Sequence, residues 1–445
     1  MVKACSIMTF VCCGWSSLAG AVCPALTAFY PENLNVKDSQ SAWEVISIQL
    51  SEIFSGCLES SEYFALLGAA QLNTGRLPEA IESLERALLL DPDNGAALID
   101  YADALLSDGQ LFAAIEVNGM VLEREDVPQT LLPRIRQRQR EWAALVRQTN
   151  WQLDLLGGFD SNLNGAPDEE LIALTLSGEP ILLALNETFR AEQGPLLNAR
   201  LIARHRRLAP GSQQSFLGQI RGRLSEDSAS DVVQLAGRYN KLVSSGSSSR
   251  QWGAGINHLS FSGRPLFTGT DARYRFQFGG VGKCQPYVGS ALQHQIWHEQ
   301  RRLDGVELKA SFGASCPLTG SAERRINIEG SALFNAELND DRLGGNREGW
   351  QLLAEWQTAV RRGVLSAQIT HTRLLDSRGF SPFLANNARR DVERSAFLIQ
   401  YREAINWFGE DTQLLVNLFH QDQNSNLGLF ETEDTSFEIG VSWRF

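Results

Sequence analysis

Strict alternation of apolar and polar residues, repeated in segment after segment from Trp151 to the end, is the feature that most limits what this sequence can become. A hydrophobic period of two is the period of an extended strand, whose successive side chains point to opposite faces. Trp151, Leu153, Leu155 and Phe159 alternate with Gln152, Asp154 and Asp160. Val233, Leu235 and Tyr239 alternate with Gln234, Arg238 and Asn240, and Ala272, Tyr274, Phe276 and Phe278 with Arg273, Arg275 and Gln277. Val306, Leu308, Ala310 and Phe312 alternate with Glu307, Lys309 and Ser311, and Trp350, Leu352, Ala354 and Trp356 with Gln351, Glu355 and Gln357. One such strand fits a half-buried soluble sheet. A polar face that carries charges and amides throughout fits a hydrated lumen, and the opposite aliphatic and aromatic face fits lipid. Residues 149–445 therefore read as an antiparallel transmembrane β-barrel.

About fourteen such segments start near residues 149, 194, 213, 229, 249, 266, 284, 305, 322, 346, 363, 392, 411 and 433. An even number is what single-chain bacterial barrels have. Connections after even segments are short: 209–211, 245–247, 280–282, 319–320, 362–363 and 409–410. The others are mostly longer, including 161–193, 375–390 and 423–432. If the first strand leaves a periplasmic domain, this is the short-inside, long-outside asymmetry of outer-membrane barrels. Within the longest connection, Leu171–Leu176 and Ile181–Leu185 read as a small hairpin around Gly178-Glu179-Pro180 that either constricts the pore or covers its mouth.

The last segment sets Phe437, Ile439, Val441, Trp443 and the terminal Phe445 on one face and Glu438, Gly440, Ser442 and Arg444 on the other. A terminal aromatic closing an alternating strand resembles the signal read by the outer-membrane barrel-insertion machinery. Cys284 opens the seventh segment and Cys316 closes the eighth, with the turn near 301–305 midway between them. Their parities agree, so the two can meet across neighbouring strands, and a disulfide is expected.

The N-terminus reads differently. Lys3, an apolar stretch from Ile7 to Val22 and the small residues Ala19-Gly20-Ala21 form an export signal, with cleavage there or after Ala28; residues 1–28 are taken as the signal. Export implies an oxidising compartment, in which Cys57 either pairs with Cys23 or stays buried and free.

Residues 37–148 carry the 3.6-residue period. Leu67-Gly68, Gly75, Leu77, Ala80, Leu84, Ala87 and Pro92 fall at tetratricopeptide-repeat spacings. Small residues at Gly68, Ala80 and Ala87 let two antiparallel helices approach, and Pro92 stops the second helix. About 34 residues later the pattern returns with Tyr101-Ala102, Gly109, Leu111 and Ala114, although Asn118 and Val121 depart from it. A helix over 39–57 and a basic helix over 129–147 cap the stack. The fold class is thus an α-solenoid followed by a β-barrel.

The net charge of -12 and pI near 5.1 exclude a nucleic-acid binder by electrostatics. No GxSxG motif, P-loop or CxxC is present, and His298-Glu299 lacks the second histidine of a zinc-peptidase motif, so neither an enzyme nor a cofactor site is expected. His294 and His298 share a parity and could form a metal pair. The clearest lumen feature is a basic wall: Arg200, Arg204, Arg206, Arg221, Arg223, Arg238, Arg273 and Arg275 all take inward parity, with inward acids at Asp154, Glu307, Glu329 and Glu355. Such a wall either attracts an anionic solute or is stiffened by arginine–carboxylate pairs.

An exported tetratricopeptide segment joined to a barrel of about fourteen strands resembles the surface lipoprotein assembly modifiers. The stretch Gly157-Gly158-Phe159-Asp160-Ser161-Asn162-Leu163-Asn164-Gly165-Ala166-Pro167 is similar to the segment found after strand one in that family. The resemblance implies an outer-membrane protein whose periplasmic repeats receive a client lipoprotein and whose barrel delivers it to the cell surface. An exopolysaccharide export porin, which also joins helical repeats to a barrel, is the alternative, and a general diffusion porin is a third reading.

Overall fold

The computed structural model describes residues 23–33, 39–176, 179–280, 282–318, 324–406, 409 and 411–445. The chain divides between Leu145 and Val146 into two compact units, close to the boundary expected from the change of period.

The first unit contains α1 (Ser39–Ile53), α2 (Ser61–Asn73), α3 (Leu77–Leu90), α4 (Gly95–Ser107), α5 (Leu111–Leu122) and α6 (Leu132–Val146). Side-chain caps start the inner helices: Ser60 accepts from the Tyr63 N–H and Asn94 from the Ala97 N–H. Helices α2 and α3 pair, as do α4 and α5, which are the two repeat units. A Cβ on Gly68 would sit 2.5 Å from Leu84 Cγ, so the close approach of α2 and α3 needs glycine there. Ala80 and Ala87 are fully buried in the same contact. Gly75 turns the chain between the helices at φ 77°. Pro92 follows the α3 C-cap, Asp91. Asn118, a polar residue at an apolar repeat position, is fully buried. It is satisfied by Arg138 Nε (2.8 Å) and Gln139 Oε1 (2.6 Å) of α6.

Cys23 is bonded to Cys57, and Leu26 is buried among Ile46, Leu50 and Tyr63, so the described part of the segment 1–28 packs with the helices. The signal read over residues 1–22 lies outside the described residues.

The second unit is a closed barrel. Its strands are β1 (Arg147–Asp160), β4 (Gly194–Ala209), β5 (Ser212–Ser225), β6 (Val232–Ser245), β7 (Ser248–Phe261), β8 (Arg264–Gln277), β9 (Gln285–Trp297), β10 (Gly305–Pro317), β11 (Arg325–Glu337), β12 (Arg347–Val360), β13 (Gly363–Gly379), β14 (Arg389–Ile405), β15 (Thr412–Ser425) and β16 (Thr432–Arg444). Each pairs antiparallel with its neighbours in sequence order, and β1 pairs with both β4 and β16, which closes the sheet without an edge. A separate hairpin, β2 (Leu171–Leu176) and β3 (Glu179–Ala184), interrupts the connection from β1 to β4.

One rim has the tightest turns, such as Pro210-Gly211 and Arg361-Arg362; the other has the longest loops, such as 338–346 and 380–388, but also the two-residue turn Ser262-Gly263 between β7 and β8. The turns expected at 319–320 and around Val281 and Glu410 fall on residues outside those described. Outward positions are apolar and exposed, from Leu197, Phe216 and Ile256 to Phe312, which is 69% exposed. Toward the short-turn rim this face carries Trp151, Tyr239, Trp252, Tyr274 and Trp356, an aromatic girdle of the kind outer-membrane barrels place at an interface. Phe437, Ile439 and the terminal Phe445 lie on the same face, and the Phe445 backbone exchanges hydrogen bonds with Trp151 (2.7 and 3.0 Å). Val441 and Trp443 share their parity on β16. Cys284 and Cys316 are joined by a disulfide at the short-turn rim, next to the Gln285–Ser315 pair.

Candidate functional site

Inward parity alone does not say which luminal charges meet; the register does. Arg200 of β4 lies 2.5 Å from Asp154 of β1, whose carboxylate is fully buried. Arg204 donates to Gln152 Oε1 (2.9 Å) and Arg221 to Asn198 Oδ1 (3.2 Å). Arg223 of β5 reaches past β4 to Asp160 of β1 (3.3 Å). Arg273 pairs with Asp271 on its own strand (2.6 Å), and Arg275 of β8 spans two strands to Glu329 of β11 (3.3 Å). Arg206 binds Gln148 Oε1. The basic wall is thus mostly cross-braced, and Arg238 is the exception: among the described residues it has no hydrogen bond and no ion pair, with Arg273 and Asp271 as its charged neighbours. Of the sequence's histidine pair, His298 bonds Thr268 (2.8 Å) and packs edge-on against His258. Among the described residues no group of three or more ligating side chains gathers.

Two features of the long-loop rim rest on contacts that the sequence does not specify. The first is the loop after β1. Asn162, buried, donates to Ala166 O (2.9 Å) and Glu433 O (3.0 Å), and Ser161 exchanges hydrogen bonds with Thr435 (3.0 and 2.8 Å). The Asp-Ser-Asn stretch therefore clasps the first strand to the last. The second is a buried arginine cluster on Asp376, a residue 1% exposed. Arg347 and Arg390 each lie 3.1 Å from its carboxylate, and the Arg390 guanidinium stands 4.6 Å from the Phe380 ring and 4.5 Å from the Phe430 ring, which themselves pack edge to face at 4.8 Å. Those rings pack against Ile172, Leu384 and Leu427, so hairpin β2–β3 is seated on the loops after β13 and β15. The hairpin caps the loops of this rim. Runs such as Arg389-Arg390-Asp391 at a strand start are the only hint the sequence offers.

In the helical unit the charged cluster joins α4 to α6. Arg138 donates to Asp103 Oδ2 (2.6 Å), and its guanidinium lies 4.8 Å from the Trp142 ring. Burial pushes the Asp100 carboxyl up to about 6; Asp103 adds to the shift and Arg138 opposes it. Burial likewise raises Asp103, against the pull of Arg138. As pH rises from about 4 to about 6, the unfolded chain loses the Asp100 proton while the folded chain keeps it. Stability conferred below that window is lost across it and stays lost above. Asp100→Asn, neutral throughout, should therefore stabilise α4 by about 3 kcal/mol at pH 7 and by little near pH 4. Amide hydrogen exchange in α4 of the full chain checks this; equal protection at pH 7 contradicts it.

Residues 71–129 match the tetratricopeptide repeat family. Among solved structures, the helical part is similar to the TPR2AB domain of yeast Sti1 in its pHSP90 complex. That likeness has 20% identity over 24% of this chain and 42% of that one, TM-score 0.22, so this chain spans less than half of it. It is also similar to the Yersinia enterocolitica type III secretion chaperone SycD in complex with a peptide of the translocator YopD, with 20% identity over 23% of this chain and 81% of that one, TM-score 0.22. The translocator domain of the Neisseria meningitidis autotransporter NalP is matched at 9% identity over 77% of this chain and 96% of that one, TM-score 0.28. No curated protein matches the chain.

Proposed function

We propose that this chain is an outer-membrane translocator, not an enzyme, that carries client proteins of the lipoprotein class to the cell surface. The observation that supports this reading is the union in one chain of tetratricopeptide repeats and a closed fourteen-stranded barrel with an apolar outer wall and a charged interior. A continuous apolar band around a barrel suits a bilayer, where every backbone group must be satisfied within the sheet. Repeat stacks present concave surfaces suited to extended segments of other proteins. In this reading the repeats work in the periplasm, the last strand is read by the insertion machinery, and the barrel gives the client its exit route. The loops seated on hairpin β2–β3 would act as the cover of that route.

Deletion of the gene followed by surface labelling tests the proposal. One or more lipoproteins should fall to background surface labelling while their total amount is unchanged. Loss of a surface polysaccharide with every lipoprotein still exposed overturns it. That second outcome belongs to export of an anionic exopolysaccharide, the reading favoured by the unpaired cation in the lumen.

A further inference from the structure

The barrel interior contains a recess of about 440 Å³ in the wall formed by β6 to β11. Its volume lies in the range of small-ligand sites. Inward glycines on two strands of this wall, Gly289 among the lining, leave room for long side chains beside them. Gly253 and Gly255 of β7 and Gly289 of β9 occupy positions where a Cβ would meet Asn240 Oδ1 at 2.5 Å, Asp271 Oδ1 at 2.6 Å and Ser311 Oγ at 2.8 Å. Long side chains of the flanking strands lean over these gaps.

Four of them are cations: Arg238, Arg273, Arg275 and Lys309 line the recess. Two carboxylates face them, and both are already engaged. Glu329 accepts from Tyr287 Oη (2.9 Å) and lies 3.1 Å from Lys309 Nζ and 3.3 Å from Arg275 Nη2. Asp271 Oδ2 accepts from both Nε (2.9 Å) and Nη2 (2.6 Å) of Arg273. Four cations against two carboxylates leave an excess of two positive charges. Arg238 holds its whole donor fork free, exposed to the lumen. A metal cation finds no free carboxylate here. A compact oxyanion finds a guanidinium fork, further guanidinium and ammonium groups at close quarters, and the neutral amides of Asn240 and Gln251.

We infer that this recess is an anion-binding site of the lumen, selective for a compact, multiply charged oxyanion of the phosphate or sulfate class, with Arg238 as its principal donor. The inference is independent of whether the barrel passes protein or sugar. The oxyanion can belong to a free solute or to a repeating group on a polymer.

The full-length protein in detergent at low ionic strength is titrated calorimetrically with inorganic pyrophosphate, and separately with dextran sulfate. Low salt matters because screening weakens such sites. Saturable binding of pyrophosphate is expected, and Arg238→Gln should weaken it by about tenfold or more. Arg402→Gln, an interior arginine of β14 absent from the recess, should bind as the unaltered protein does. Binding of dextran sulfate but not pyrophosphate, abolished by Arg238→Gln, supports the same site with a polymer-borne group. No binding of either probe, or binding that Arg238→Gln leaves unchanged, overturns the inference. Heat-modifiable mobility on unboiled gels establishes that each variant is a folded barrel before it is titrated.

Discussion

Valine at position 440 is expected to leave the barrel unclosed. In the β1–β16 register Gly440 lies opposite Leu156, and Gly158 lies opposite Glu438. A Cβ on Gly440 would stand 2.0 Å from the Leu155 carbonyl oxygen and 2.6 Å from Leu156 Cα; one on Gly158 would stand 2.1 Å from the Phe437 carbonyl oxygen. These neighbours are backbone, so no rotamer change relieves the overlap. The strands must separate, and the ladder hydrogen bonds around the site must break. Inside a bilayer no water replaces them, and each unpaired group costs several kcal/mol. Two or three such groups amount to roughly the whole stability of a domain. The location makes the effect larger. Every other pairing joins strands that follow one another in the chain, but this one joins the first strand to the last and is formed against the greatest loop-closure entropy. Gly440→Val should therefore nearly abolish the heat-modifiable folded band on unboiled gels. Gly157→Ala should not, because the added Cβ meets nothing within 4 Å. A Gly440→Val protein that closes with ordinary yield would refute the argument.

The contrast between those two glycines shows where reading the sequence stops. Alternation names the strands because a closed barrel with an apolar outer wall and a polar interior imposes opposite chemistry on successive residues. The segment starts read near 149, 213 and 433 are found at Arg147, Ser212 and Thr432 for that reason. The same rule sends the wall arginines inward. It cannot say that Arg223 crosses β4 to reach Asp160, or that Arg238 reaches nobody, because those contacts depend on register between strands and not on period along one. The repeat spacing located Gly68 and Ala80, since close helix approach demands small residues at fixed intervals. It was silent on Cys23, whose partner lies 34 residues away on the far side of α1 and outside the repeat pattern. The rule of long loops at one rim fails most plainly at Ser262-Gly263, where two residues suffice to turn the chain. The Asp376 cluster left no trace beyond the Arg389-Arg390-Asp391 run, because its members come from the starts of β12 and β14, the end of β13 and a loop.

That cluster carries the second large effect: Asp376→Ala should open the capped rim. Asp376 is the carboxylate to which Arg347 and Arg390 are both paired, and its backbone carbonyl accepts from Arg389 Nε (2.7 Å). Arg342, 4% exposed, is held close by and bonds Asn335 and not a carboxylate. The loop containing Gly344 passes so near that a Cβ there would fall 1.9 Å from Asp376 Oδ2. Removing the carboxylate leaves buried guanidiniums facing one another without a counter-charge. Breaking a buried pair by deleting one partner costs about 3–5 kcal/mol, because the remaining charge cannot reach water. Here it can reach water by one route, outward, and that route pulls Arg390 off the Phe380 and Phe430 rings. The two rings belong to the apolar cluster that seats hairpin β2–β3, so the loops after β13 and β15 and the hairpin should loosen together. Protease added to the purified barrel should then cut within 377–388 much faster than in the unaltered protein, and the conductance of the protein in planar bilayers should rise. Asp391→Asn serves as the comparison: its partner Arg373 is half exposed, and losing a surface pair of that kind changes stability by about 1 kcal/mol or less. If Asp376→Ala is cut no faster than Asp391→Asn, the arginines are satisfied by something other than this carboxylate. The cover of the mouth is then held by its apolar contacts alone.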